Sequence, residues 1–102
     1  MPYRILLTRD IKGQLKDLPG SIKAMARQHI ANLANDPRPP RSKELVGHTG
    51  YYRLRLSAKY RLVWQVVEEE KFVEIAYIGP KSPELYEKLK LARPVPKPPE
   101  AE

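Results

Sequence analysis

Residues 51–78 read YYRLRLSAKYRLVWQVVEEEKFVEIAYI, three strand-like runs separated by two short polar breaks. The first run, Tyr51 to Leu56, alternates cleanly: Tyr52, Leu54 and Leu56 fall on one face, Tyr51, Arg53 and Arg55 on the other. The second, Tyr60 to Val67, is apolar on both faces except at Arg61 and Gln65, which predicts a central strand. Lys71 to Ile78 forms the third. Ser57-Ala58-Lys59 and Glu68-Glu69-Glu70 are short enough for hairpin turns, so this half is predicted to be a three-stranded antiparallel meander.

Working outward, Pro37 to Gly50 reads as a polar loop with three prolines and the basic residues Arg38, Arg41 and Lys43. Ahead of it, Pro2 to Leu7 reads as a short strand. Thr8 is placed to cap a short helix carrying Ile11, Leu15 and Leu18 at helical spacing. Pro19-Gly20 breaks that helix, and Ser21 is expected to cap a second with Ile22, Met25/Ala26, Ile30 and Leu33/Ala34 on its apolar face. The second helix must stop before Asp36-Pro37, because a residue preceding proline is pushed out of helical conformation. Two helices so closely joined are expected to form an antiparallel hairpin. On the C-terminal side, Ser82-Pro83-Glu84 is a helix start, with a cap, a proline at the first helical position and an early acid. Leu85, Leu89 and Ala92 follow on that helix. RPVPKPPEAE, residues 93–102, is read as a disordered or polyproline tail. The fold class is α+β, a single domain over residues 1–92 with a proline-rich tail.

The chain has 102 residues, 41% of them hydrophobic, and no cysteine. It therefore holds one modest core without disulfides or cysteine-ligated zinc, consistent with a reducing, cytoplasmic setting. No apolar run approaches the roughly 20 residues that a membrane helix needs, and Ile5-Leu6-Leu7 is too short for a signal-peptide core. Nineteen Lys and Arg stand against 12 Asp and Glu, leaving a formal charge of +7. An imbalance of that size favours a polyanionic partner.

Common catalytic constellations are missing from the sequence. It offers no cysteine nucleophile and no glycine-rich phosphate loop, and His29 and His48 lack metal-ligand spacing. His29 reads as a surface residue of the second helix, and Glu68-Glu69-Glu70 as a solvated turn; neither metal nor cofactor is expected. The charge concentrates elsewhere. Between Arg38 and Arg61 stand Arg38, Arg41, Lys43, Arg53, Arg55, Lys59 and Arg61 against the single acid Glu44. Arg53 and Arg55 share a strand face, and an antiparallel neighbour can set Arg61 beside them. Guanidiniums held so close repel one another unless an anion sits between them, and their planar forks match phosphate oxygens. Lys81 can point at the same face, Tyr86 can offer a ring for base stacking, and His48 lies just before the first meander strand.

The order of elements, with Leu45-Val-Gly47, Tyr51-Tyr-Arg-Leu-Arg-Leu56, Tyr60-Arg-Leu-Val-Trp-Gln-Val66, Ile78-Gly-Pro-Lys81 and Tyr86, resembles the RelE/ParE toxin superfamily of bacterial toxin–antitoxin systems. The likeness covers roughly Tyr3 to Leu89 and is closer to the RelE branch. It implies a metal-independent endoribonuclease that cleaves mRNA in the ribosomal A site by attack of a ribose 2′-hydroxyl on the adjacent phosphate. It also implies a cognate antitoxin, and operator DNA as a target of the toxin–antitoxin complex.

Carried over by position, Arg61 grips the scissile phosphate, with Arg53 and Arg55 beside it. Lys81 stands where an arginine is usual, and Tyr86 matches a tyrosine near the C-terminal helix. Arg41, Lys43, Lys59 and His48 are the further candidate RNA contacts. Where the family can offer lysine as a base, this chain has arginine at both 53 and 55, and arginine does not deprotonate in proteins. Two other readings follow from the same likeness: a ParE-type poison of DNA gyrase, and a non-catalytic RNA- or antitoxin-binding member.

Overall fold

Five strands and two helices make up the computed structural model, which describes residues 2–45 and 47–81. In chain order they are β1 (Arg4–Leu6), α1 (Arg9–Lys16), α2 (Gly20–Leu33), β2 (Lys43–Glu44), β3 (Tyr51–Arg55), β4 (Tyr60–Val67) and β5 (Phe72–Pro80). The sheet order is β1-β5-β4-β3-β2. The run read as apolar on both faces is indeed the middle strand. β3, β4 and β5 form the expected meander, and β1 joins it parallel to β5.

Three expectations need correcting. The loop between α2 and β3 contains a fifth strand, β2, pairing Lys43 with Arg53 and Glu44 with Tyr52. Two residues between prolines and glycines carry no readable alternation, so its signal was absent from the sequence. Ser21 does not cap α2: the helix begins at Gly20, Pro19 occupies the cap position, and no side chain bonds there. The extended backbone of Pro19 aims its carbonyl at the N–H of Lys23, 2.8 Å away, which starts the helix two residues earlier. α1 ends at Lys16, so Leu18 is buried from the connecting turn instead of from the helix. The cap at Thr8 is as expected, its hydroxyl accepting from Ile11 N–H at 3.3 Å, worth about 1 kcal/mol. The helix expected from Ser82, Tyr86 within it, and the tail from Arg93 lie outside the described residues.

The main core lies between the helices and one face of the sheet. Ile11, Leu15, Ala26, Ile30 and Leu33 from the helical segment meet Leu54, Leu56, Leu62, Trp64, Val66, Val73, Ile75 and Ile78. Trp64 is fully buried, and its indole N–H donates to the Pro37 carbonyl at 2.8 Å, so the largest core side chain also holds down the loop leaving α2. α1 lies along β5. There Gln14 Oε1 accepts from Ile78 N–H at 2.9 Å, satisfying a donor on the β5 edge beyond the end of β1.

A bulge decides what the other face carries. Val63 pairs with Tyr77 but Trp64 pairs with Ile75, leaving Ala76 as an extra residue. In an unbroken strand Ile75 and Tyr77 would share a face. The extra residue sends Ile75 into the main core and Tyr77 to the opposite side. There Tyr77 joins Leu45, Tyr51 and Val63 in a second, smaller apolar cluster. Beyond that cluster, toward the β3–β4 turn, lie the arginines.

Candidate functional site

Strand register fixes which charges meet. Arg55 stands directly opposite Arg61, and Arg53 directly opposite Lys43. Residues opposed across strands share a face, so all four lie on the side away from the helices. Like charges directly opposite each other destabilise a sheet, and this face holds two such pairs side by side. Together with Arg41 and Lys81 they line a groove of about 500 Å³. No acidic side chain appears among its described lining residues.

Arg61 is the best positioned of the six. It is 9% exposed, an unusual burial for a charged group with no acid beside it among the described residues. Its Nη1 donates to the carbonyls of Ser57 at 2.8 Å and Tyr60 at 3.0 Å, with Ala58 at the limit of 3.5 Å. The β3–β4 turn therefore wraps one corner of the guanidinium and fixes its rotamer. Its Nη2 and Nε have no acceptor among the described residues. The remaining fork is held in place with donors to spare, the arrangement that binds an anion without further ordering.

Gly79 completes that end of the groove. It lies across from Arg61 on β5, where a Cβ would come within 2.8 Å of the Tyr77 hydroxyl and 3.1 Å of its Cζ. The absent side chain lets the Tyr77 ring lie over the strand and donate to the Pro80 carbonyl at 2.7 Å. Burial pushes the Tyr77 phenol up from its ordinary pKa. Lys81, next in the chain, donates its backbone N–H to Lys59 O at 2.6 Å. That bond ties the exit of β5 to the β3–β4 turn and sets the Lys81 side chain on the groove.

The structure thus brings together six of the expected residues: Arg41, Lys43, Arg53, Arg55, Arg61 and Lys81. Two expected contacts are not in the lining. Lys59 contributes its carbonyl to the Lys81 bond and is exposed on the turn. His48 is 8% exposed and packs edge-on against Tyr51, ring centroids 6.2 Å apart, beside the small apolar cluster. Arg38, from the same basic run, goes to the opposite face. Its Nε donates to the Tyr52 hydroxyl at 2.9 Å, and its Nη2 pairs with Glu68. Glu68 also accepts from the Tyr3 hydroxyl at 2.7 Å. Sequence reading missed this division, because nothing local tells which side of the sheet a loop arginine reaches.

Among the described residues, no group of three His, Cys, Asp or Glu could hold a metal ion. No described helix is long and apolar enough to cross a membrane. What remains is a preorganised cationic groove, fit to hold and polarise phosphate oxygens.

Comparison with known proteins gives a consistent result. The family model described as the ParE toxin of type II toxin-antitoxin systems, parDE, matches residues 5–84. No curated protein sequence matches the chain. Among solved structures, a doubly substituted RelE toxin of E. coli in the free state superposes with a TM-score of 0.73 at 23% identity, covering 86% of this chain and 94% of that one. The toxin–antitoxin complex RelBE2 of Mycobacterium tuberculosis gives 0.64 at 24% identity, over 79% of this chain and 100% of that one. The archaeal RelE–RelB complex of Pyrococcus horikoshii OT3 gives 0.66 at 22%, over 81% and 99%. At these identities the likeness is one of fold.

Proposed function

The chain belongs to the ParE toxin family of type II toxin–antitoxin systems, within the RelE/ParE superfamily, and from that premise we propose that it is a ribosome-dependent endoribonuclease cutting mRNA in the A site. The observation that carries this reading is the groove itself: six cations from four stretches of chain, with no acid among the described lining. In the proposed reaction the ribose 2′-hydroxyl gives up its proton to solvent as its oxygen forms a bond to the adjacent phosphorus. The bond from phosphorus to the 5′-oxygen breaks, and the leaving oxygen takes a proton. The products carry a 2′,3′-cyclic phosphate and a free 5′-hydroxyl.

Arg61, with Arg55 and Arg53, stabilises the charge that builds on the phosphate oxygens in the transition state. Removing one such preorganised donor typically costs about 10²–10³ in kcat. Arginine does not give up its proton, so Lys43 and Lys81 are the groove's described groups able to transfer one. Lys81, tied to the turn that wraps Arg61, is assigned as acid for the leaving 5′-oxygen. Tyr86 is assigned to base stacking or to orienting the 2′-hydroxyl. A cognate antitoxin with an acidic or amphipathic segment covers the groove, and the pair binds operator DNA. Cleavage of ribosome-bound mRNA tests the reading: A-site cuts are expected from the wild type and not from Arg61→Ala, and uncut mRNA with folded wild type overturns it.

A second reading, a ParE-type poison of DNA gyrase, is favoured by the description of the matching family model. It needs an interaction surface and no nuclease site. Loss of gyrase supercoiling without any RNA cleavage selects it.

A further inference from the structure

The groove is larger than one phosphate requires, and its charges are grouped. Arg55 and Arg61 form one couple across β3 and β4; Lys43 and Arg53 form another across β2 and β3. The second couple is displaced from the first by two residues along β3 and by one strand across the sheet. With about 3.3 Å per residue and about 4.8 Å between strands, the centres of the two couples lie roughly 8 Å apart. Measured at the backbone, that spacing is on the scale of one nucleotide step in an extended single strand. Arg41 enters the groove from the loop before β2, beside the second couple.

The neighbourhoods of the couples also differ. Arg61 is buried, its guanidinium held by turn carbonyls, and Lys81 adjoins it through the bond to Lys59. Arg41, Lys43 and Arg53 are exposed, suited to gripping a backbone more than to fixing a reacting atom. The β2 couple stands on a strand of two residues at the edge of the sheet.

We infer that the groove is a two-phosphate reader for single-stranded RNA. The Arg55–Arg61 end with Lys81 takes the scissile phosphate, and Lys43, Arg53 and Arg41 form a separate subsite for the neighbouring phosphate. The inference rests on the ribonuclease reading for the identity of the strand. It assigns the β2 arm to substrate hold and register. The arm's contribution therefore falls on KM, and requires a substrate with a second phosphodiester.

Binding of two uncleavable probes, without ribosomes, tests this. One is a 2′-O-methyl dinucleotide with a single phosphodiester; the other is the matching trinucleotide with two. The wild type is expected to bind the trinucleotide about tenfold tighter, with a salt slope steeper by about 0.7 for the added phosphate. Lys43→Ala with Arg41→Ala is expected to erase that advantage and the extra slope, leaving dinucleotide affinity within about twofold. Equal losses on both probes, or no trinucleotide advantage in the wild type, overturn the subsite. An acidic peptide bound through Arg41 and Lys43, with neither oligonucleotide bound, overturns it in favour of a protein occupant. Because the probes cannot be cut, two-phosphate binding with inactive enzyme on ribosomes would sink the nuclease reading and leave the subsite standing.

Discussion

Arg38 and Arg61 lie in the same basic stretch of sequence and end on opposite faces of one sheet, in opposite electrostatic settings. Arg38 bonds the Tyr52 hydroxyl, lies over the Tyr52 ring and pairs with Glu68, which in turn holds Tyr3 and Lys71. The Tyr52 bond first, and Glu68 after it, raise the Arg38 pKa. Around Glu68 the charges are matched, and the network fastens β1, the β4–β5 turn and the loop leaving α2. Around Arg61 lie carbonyls and five other cations, with no acid among the described groove residues. One region spends its charge on joining parts of the chain. The other gathers like charge on one face of the sheet.

The largest expected effect is on Arg61. Arg61→Ala should lower mRNA cleavage about 10²–10³-fold, and should also lower Tm, because the Ser57 carbonyl loses the guanidinium donor and the Tyr60 carbonyl is left with backbone donors alone. The parallel change at the matched end, Arg38→Ala, should lower Tm and leave cleavage per folded molecule within about twofold. If the two variants lost activity equally, the contrast between the regions would fail.

A polyanion should act on one region only. Tripolyphosphate at 100 times its Kd should stabilise the wild type by about 2.7 kcal/mol through binding to the folded state, read as a rise in Tm. The same gain is expected in Glu68→Gln, and a much smaller one in Arg55→Thr. Relief of repulsion sharpens the point further. Arg55→Thr removes one of two facing cations and should stabilise the protein by about 0.2–1 kcal/mol at low salt while weakening RNA binding. A destabilised Arg55→Thr would mean that the groove's charges are compensated after all.

The smallest effect concerns acid. The Tyr3 hydroxyl first, and Arg38 after it, hold the Glu68 carboxyl below its ordinary range. A carboxylate with a depressed folded pKa adds stability above its unfolded value, about 4.3, and loses it as pH falls through the folded one. Because Glu68 is exposed, the advantage is small. The Tm lead of the wild type over Glu68→Gln should be present at pH 7 and shrink below about pH 4. An unchanged lead at pH 3 would deny the network its charge.

Much of this arrangement was legible in the sequence. Alternation in Tyr51–Leu56, the doubly apolar run around Trp64 and the two short breaks were enough for the meander and for β4 at its centre. The shared face of Arg53 and Arg55 followed from the same period of two, and the turn length brought Arg61 to them. What was not legible depends on long-range partners. β2 exists because β3 offers an edge to pair with, not because Lys43-Glu44 has strand character. The bulge at Ala76, which turns Tyr77 toward the groove face, leaves only a broken alternation within an apolar run. His48 reads as a loop histidine near a charged face, yet the packing of Tyr51 buries it. Arg38 and Arg41 are three residues apart, and only the anchoring of Pro37 by Trp64 and of Arg38 by Tyr52 and Glu68 sends them to different sides.

The most direct measurement is end-mapping of mRNA paused on ribosomes after exposure to the wild type, Arg61→Ala and Arg38→Ala. Cuts within the A-site codon, ending in a 2′,3′-cyclic phosphate, are expected from the wild type and Arg38→Ala and absent with Arg61→Ala. Intact mRNA with folded wild-type protein that instead blocks DNA gyrase would contradict the assignment of the groove to RNA cleavage.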